Sequence, residues 1–234
     1  MTGVARPLTG ELGLIVAQGL PVMAGVAEGL GDAGADVRVL DDPRLSGAQD
    51  QVREALTQAL DGRVPALVLV SLLADAAGGR RPLTEQTLDD WRAQAIEPIR
   101  TAMRVLVALG EVMKPAGRGS IVLLAPSLSL VGGDGRVALG TALEGQRGLV
   151  KSVARQWGGT GVTVNWIAAA PVALSDRFDA ASLAAKGDAV PVALGRRPDA
   201  RAEIASLAAW MAGPGGRGMT GATLMLDGGE WMVP

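Results

Sequence analysis

Histidine, tyrosine and cysteine are all missing from this chain, and lysine occurs only at Lys114, Lys151 and Lys186. Proton transfer near neutral pH ordinarily uses His, carboxylates, Lys, Tyr or Cys. Only carboxylates and the three lysines remain. Ser-His-Asp hydrolysis, cysteine nucleophiles, His- or thiolate-ligated metals and tyrosine acids are therefore excluded before any motif is considered. Without cysteine there is no disulfide, and a soluble cytoplasmic protein is expected. Long apolar runs are lacking too: the longest, around 64–74, falls well short of the ~20 residues that span a bilayer. The apolar part of the N-terminal stretch is brief, is broken by Glu11 and has no convincing cleavage site, so no signal peptide is expected. A strong charge of either sign is also absent. The net charge is −2 with both signs interspersed, which gives no nucleic-acid footprint and no membrane-surface patch.

What is present is apolar. Hydrophobic residues make up 48% of 234 residues, enough for a large core in one domain spanning 1–234. Strands are expected at 12–17, 36–40, 65–72, 120–125, 161–168 and 222–226. Helices are expected at 21–34, 47–60, 84–113, 137–157 and 199–212, the long one opened by Thr84 with Glu85 and Asp89–Asp90 in its early turns. The run PALVLVSL at 65–72 is apolar but for Ser71, as expected of a strand covered on both faces. Alternating strands and helices predict an α/β fold with a parallel sheet covered on both sides, in a doubly wound, Rossmann-like layout.

Four stretches carry a family likeness: PLTEQTLDDWRAQ at 82–94, GRGSIVLLAPSLSLVGG at 117–133, GLVKSVARQWGGTGVTVNWIAAAPV at 148–172 and MTGATLMLDGG at 219–229. In order and spacing they resemble the short-chain dehydrogenase/reductase family, closest in style to its 3-oxoacyl thioester reductases. The likeness runs without obvious gaps from about residue 62 to the C-terminus, and more weakly over 12–40. It implies where the family's chemistry should sit, and the residues found there are different. The Tyr and Lys of Tyr-x-x-x-Lys fall at Leu139 and Leu143, the catalytic Ser at Pro126, and the Asn of the long helix at Pro98. Ser127, Ser129 and Thr141 are the hydroxyls nearby. A slipped serine is conceivable, but a slipped tyrosine is not, since the chain has none. A leucine transfers no proton, and four substitutions at four roles imply lost chemistry. No catalytic residue is expected.

The resemblance also implies a TG-x-x-x-G-x-G turn between the first strand and helix. Its glycines bring backbone close to a pyrophosphate at a helix N-terminus. This chain has VAQGLPVM at 16–23, with Ala17, Pro21 and Met23 at the glycine positions and Gly19 as an ordinary turn glycine. Pro21 has no N–H to donate but suits the first residue of a helix. The family's Asn-Asn-Ala-Gly is replaced by LVSL at 69–72, and its Pro-Gly by Ala169–Ala170, while Asn165 and Pro171 survive. Between the strands at 36–40 and 66–70 there is room for one helix, where the family has helix, strand and helix. One strand–helix unit near the adenine side is therefore expected to be missing. Asp41 stands where an acidic side chain could hold the ribose of NAD; an exposed acidic loop is the plainer reading. No cofactor-binding or metal residue is expected, and NAD or NADP belongs to an active partner.

The family's association elements are kept. Leu88, Trp91, Ala95, Ile99, Met103 and Leu106 fall at helical spacing in the long helix, Val150, Val153 and Trp157 in the next interface helix, and Trp210, Trp231 and Met232 at the C-terminus. Trp and Met are enriched at interfaces. Trp231 is the leading interface candidate. Trp91 and Trp157 are divided between interface and core, and Trp166, inside a strand, reads as core. Three functions follow. The first is a non-catalytic subunit paired with an active short-chain dehydrogenase paralogue. The second is a cofactor-free, non-redox enzyme using a carboxylate such as Glu144, which otherwise reads as a solvated helix residue. The third is a homo-oligomeric binding protein for an apolar ligand.

Overall fold

The computed structural model describes residues 6–73, 80–175, 178 and 192–232. Among these described residues six parallel strands form one sheet in the order β2-β1-β3-β4-β5-β6. They are β1 (Leu12–Ala17), β2 (Asp36–Leu40), β3 (Leu67–Ser71), β4 (Gly119–Pro126), β5 (Val162–Ala169) and β6 (Thr223–Leu226). β1 and β3 are buried along their whole length, because helices cover both faces and every side chain of a central strand meets apolar neighbours. Burying each Leu, Ile or Val in such a strand contributes roughly 1.5–3 kcal/mol before the entropy of ordering is subtracted.

The helices are α1 (Val22–Asp32), α2 (Gln49–Leu60), α3 (Leu88–Trp91), α4 (Glu97–Ala116), α5 (Leu128–Val131), α6 (Val137–Trp157), α7 (Pro171–Leu174) and α8 (Ala205–Ala212). On one face α1 packs against the segment 200–212, where a Cβ on Gly29 would meet that of Ala205 at 2.6 Å. α2 packs on α4, and α4 on α6. Between β2 and β3 lie a short turn, Pro43–Ser46, and α2 alone. The strand–helix unit expected to be missing is missing, and β2 is left as the outer strand.

Several boundaries differ from expectation. The long helix opens at Thr87, not Thr84: the Thr87 hydroxyl accepts the Asp90 N–H at 3.1 Å and the Asp90 carboxylate accepts the Thr87 N–H at 3.2 Å. Such reciprocal capping satisfies donors that Thr84, in a separate 3-10 turn (Leu83–Glu85), cannot reach. α3 and α4 are joined by a π turn, Arg92–Ile96, in which the Glu97 N–H bonds to Arg92 O. Pro98 supplies the reason: it has no N–H for the preceding turn, so the ladder rewinds. The helix then runs on to Ala116 and stops at Gly117, which adopts φ +69°. Pro21 is the residue before α1, not its first. α1 ends at Asp32, ahead of Gly34 at φ +96°. Gly47 and Ala48 precede α2, Asp199 caps the π turn Ala200–Ile204, and the strand expected at 65–72 is pared to Leu67–Ser71. No helix among the described residues is long and apolar enough to cross a membrane.

Candidate functional site

The β1–α1 turn is built around Gly19, whose φ of +58° lets the chain double back into α1. The Gly19 N–H is spent on the Asp41 carboxylate at 3.1 Å, and the Gln18 amide reaches the Ser46 hydroxyl at 2.9 Å. Asp41 is exposed in its loop, as expected, and its carboxylate turns back onto the glycine turn. The Met23 N–H bonds to Leu20 O at 3.0 Å and the Ala24 N–H to Pro21 O at 3.3 Å. Ala17, Leu20 and Met23 are buried. Of the turn's amides, Pro21 has none and those of Gly19 and Met23 are already paired, while the buried side chains of Ala17, Leu20 and Met23 fill the turn.

The second part of the site lies where β4 ends and α6 begins. Pro126, the last residue of β4, pairs in register with Ala169 of β5. Leu139 is 2% exposed and Leu143 is fully buried, and both belong to the main apolar core. The nearby hydroxyls are in other employment. Thr141 donates to Val137 O at 2.9 Å. Ser129 hydrogen-bonds the Glu144 carboxylate. Ser127 is fully buried, its N–H on Ala169 O at 2.9 Å and its Oγ without a protein partner.

Glu144 is half-buried and ion-paired with Arg147, not simply solvated. Burial pushes its carboxyl up, but hydrogen bonds from Arg147 and Ser129 and the charges of Arg147 and Lys151 outweigh that and hold it below the usual carboxylate range. An acid kept ionised and occupied in this way is a poor proton donor at neutral pH. Pro98 sits beside α6, its carbonyl accepting from buried Gln146 at 3.5 Å. A Cβ on Gly145 would run into Ile99, which shows how closely the two helices approach.

The α4–α6 face carries a groove of about 330 Å³ lined by Met103, Leu106, Val107, Leu149, Val153 and Trp157 among others. Met103 and Val107 are more than two-fifths exposed. Trp157 resolves toward core: it is 8% exposed, lies against Gly110, where a Cβ would meet its ring at 2.7 Å, and has the Lys114 ammonium 5.7 Å from its ring centre. Trp166 is core, Trp91 is partly buried, and Trp210 is 44% exposed.

At the C-terminal end the Asp227 carboxylate accepts the N–H groups of Gly229 (2.9 Å) and Trp231 (3.0 Å), an Asx-type turn that the DGG sequence foreshadows. Trp231 is partly buried with its indole N–H unpartnered, and Glu230 is buried with one carboxylate oxygen unpartnered. Burial above all pushes the Glu230 carboxyl up. Surviving Asn165 has a structural role: its amide donates to Met219 O at 2.9 Å and its carbonyl accepts the Ala222 N–H at 3.0 Å, tying β5 to the segment before β6. The sequence signals missed were Gln146, whose amide answers a carbonyl across a helix pair, and the Asp41–Gly19 contact. Among the described residues no acidic cluster able to hold a metal is present.

The family model for enoyl-(acyl carrier protein) reductase matches residues 23–230, beginning just past the β1–α1 turn. The D-threitol dehydrogenase of Mycolicibacterium smegmatis is 32% identical over 166 residues, covering 68% of this chain. The 3-oxoacyl-acyl-carrier-protein reductase of Vibrio cholerae is 29% identical over 192 residues, covering 79% of this chain. The chain spans 62% of the length of the first relative and 73% of the second. Among solved structures, one described as an NAD(P)-dependent gluconate 5-dehydrogenase from Beutenbergia cavernae with bound NADP superposes with a TM-score of 0.77. It shares 22% identity and is covered over 96% of this chain and 98% of its own. A Serratia marcescens short-chain dehydrogenase/reductase gives a TM-score of 0.73 at 22% identity, over 96% and 99%.

Proposed function

This chain belongs to the short-chain dehydrogenase/reductase family, and we propose that within it the protein is a non-catalytic subunit that supports an active NAD(P)-dependent paralogue in a hetero-oligomer. The observation that carries the reading is the pair of leucines on α6. By the sequence resemblance Leu139 and Leu143 stand at the family's Tyr and Lys positions, and both are packed into the core. The chain has no tyrosine that could take the first role. The dinucleotide does not fit the β1–α1 turn, for the amide and side-chain reasons given above, so no hydride step is routed through this chain. NAD or NADP belongs to the partner. The names of the relatives, a polyol dehydrogenase and an acyl-carrier-protein reductase, favour a hydroxyacyl thioester or a similar alcohol as the partner's substrate. Docking is assigned to α4 and α6, whose groove and exposed Met103 and Val107 offer an apolar face.

The test is purification of the tagged full chain from its native host. A stoichiometric copurifying dehydrogenase with an intact Tyr-x-x-x-Lys, in a complex whose activity the chain alone lacks, is the expected result. Hydride transfer by the chain alone, or its recovery without any dehydrogenase, overturns the reading.

A further inference from the structure

The shortened sheet has a consequence at its edge. β2 is the outer strand, and on its inner side the Asp36 N–H donates to Glu11 O at 2.8 Å. Backbone groups alternate along a strand, so the N–H and C=O of Val37 and Val39 face outward. No described strand pairs with that side. Side chains alternate as well. The Arg38 guanidinium lies on the α2 side, donating to Ala59 O at 2.8 Å and standing 3.5 Å from Asp61. Asp36 shares that side and pairs with Arg63. Val37 and Val39 project from the opposite face, and Val39 is 53% exposed. Edge strands in proteins that remain single are commonly blunted by charged side chains, lysine above all, by proline or by a bulge, and the two charges here, Asp36 and Arg38, are of opposite sign. β2 carries no lysine or proline, and its register with β1 is unbroken from Leu12↔Asp36 to Val16↔Leu40.

We propose that the β2 edge pairs antiparallel with the β2 edge of a second copy of this chain, across a two-fold axis at Val37. The run Ala35-Asp36-Val37-Arg38-Val39 is complementary to its own reversal about that residue. Turned end for end, it sets Asp36 against Arg38 of the second copy and Arg38 against its Asp36. It also sets Val37 on Val37, and Val39 on Ala35. One face of the seam is then apolar. The other is a line of alternating charge, from Arg63 through Asp36 to Arg38 and Asp61 of the second copy. The outward N–H and C=O of the two Val37 residues meet as a hydrogen-bonded pair. A two-fold axis demands such self-complementarity, because each residue must suit its own mirror position in the contact. Centring the axis on Arg38 would oppose like charges, and that fixes the register. The α4–α6 groove is a separate surface, so this pairing does not depend on the subunit reading.

Charge reversal in the full-length protein tests the seam. Asp36→Arg opposes two arginines across the axis at each end, and Arg38→Asp opposes two aspartates. The wild type should self-associate with rising concentration in sedimentation velocity, a persistently monomeric wild type overturning the proposal, and each variant alone should lose that association while keeping its far-UV circular dichroism. An equimolar mixture of the two should regain the dimer, because the arginine introduced in one variant then meets the aspartate introduced in the other. The cysteine-free background supplies a second measurement should either reversal fail to fold. Val37→Cys, opposite itself at a Cα separation of about 5.5 Å, within disulfide reach, should form a covalent dimer under mild oxidant. Val39→Cys, opposite Ala35, should not. Self-association unchanged by both reversals, no recovery on mixing, or equal cross-linking at the two positions overturns the proposal.

Discussion

The Asp41 carboxylate accepts the Gly19 N–H at 3.1 Å, so an acid at the end of β2 closes onto the turn that follows β1. In a dinucleotide-binding fold that turn offers its amides to a pyrophosphate. Here the anion is the chain's own.

The isolated protein should therefore give no binding isotherm with NADH or NADPH in calorimetry or cofactor fluorescence. Asp41→Ala should not create one, because Pro21 still lacks an N–H and the Met23 N–H is still bonded to Leu20 O. Micromolar binding by the wild type would show that the crevice works by other contacts.

Leu139→Tyr with Leu143→Lys should give no turnover on any substrate, because Pro21 and the buried Met23 remain in the β1–α1 turn. It should also be costly. Leu143 is fully buried, and an unpaired ammonium placed there should cost about 3–5 kcal/mol. Leu143→Ala, a pure cavity, should cost about 2–5 kcal/mol. Urea unfolding of the single and double variants measures both, and turnover by the double variant would overturn the account of the β1–α1 turn.

Periodicity and family likeness made all six strands and the five main helices legible, because apolar runs and turn residues act locally. The ends were not. Thr84 and Thr87 look alike as caps, and only the reach of Asp90 decides between them. The π turn before Pro98 arises from a missing donor whose consequence depends on the helix staying anchored against α6. At the site, the replaced residues were readable one by one. That Asp41 folds back onto Gly19, and that Glu144 is held by both Ser129 and Arg147, was not, since both contacts depend on side-chain direction across separate elements.

Acid should weaken the fold partly through Glu203. Its side-chain hydrogen bond with Arg196 and the donated Asp199 N–H lower its pKa to about 2 from the ordinary 4.5. A depressed folded pKa contributes stability that is fully present above the unfolded value and is lost as pH falls through the folded one. The affected window is thus from about 4.5 down to about 2. Urea midpoints followed across that window should fall less steeply for Glu203→Gln than for the wild type. Parallel slopes would mean that the Arg196 pairing contributes nothing.

The assembly prediction rests on differential loss. By the sequence resemblance, the positions that handle protons and phosphate in the family hold Leu139, Leu143, Pro126, Pro98, Pro21 and Met23, whereas the resemblance leaves the order, spacing and apolar pattern of the association helices in place. Drift without use would erode both. Apolar replacement inside an abandoned site is what a retained scaffold favours, because buried polar groups left unpaired cost free energy. The residues to test are those that face outward. Trp157→Ala would confound the result, since its ring fills the space over Gly110 and its loss should cost about 3–5 kcal/mol of fold stability. Met103→Asp and Val107→Asp place a charge on the exposed wall of the α4–α6 groove without opening the core. Each should abolish copurification of the partner dehydrogenase, and thermal unfolding of the isolated chain should stay within a few degrees of wild type. Glu144→Ala removes only an ion pair with Arg147 and a contact to Ser129, roughly 1 kcal/mol or less at such a site, and should leave the complex intact. Retention of the partner by both aspartate variants would move the docking face to the C-terminal elements around Trp210 and Trp231. Elution of the native protein as a lone monomer, or as a homo-oligomer without a dehydrogenase, would remove the subunit reading altogether and favour a binding protein for an apolar ligand.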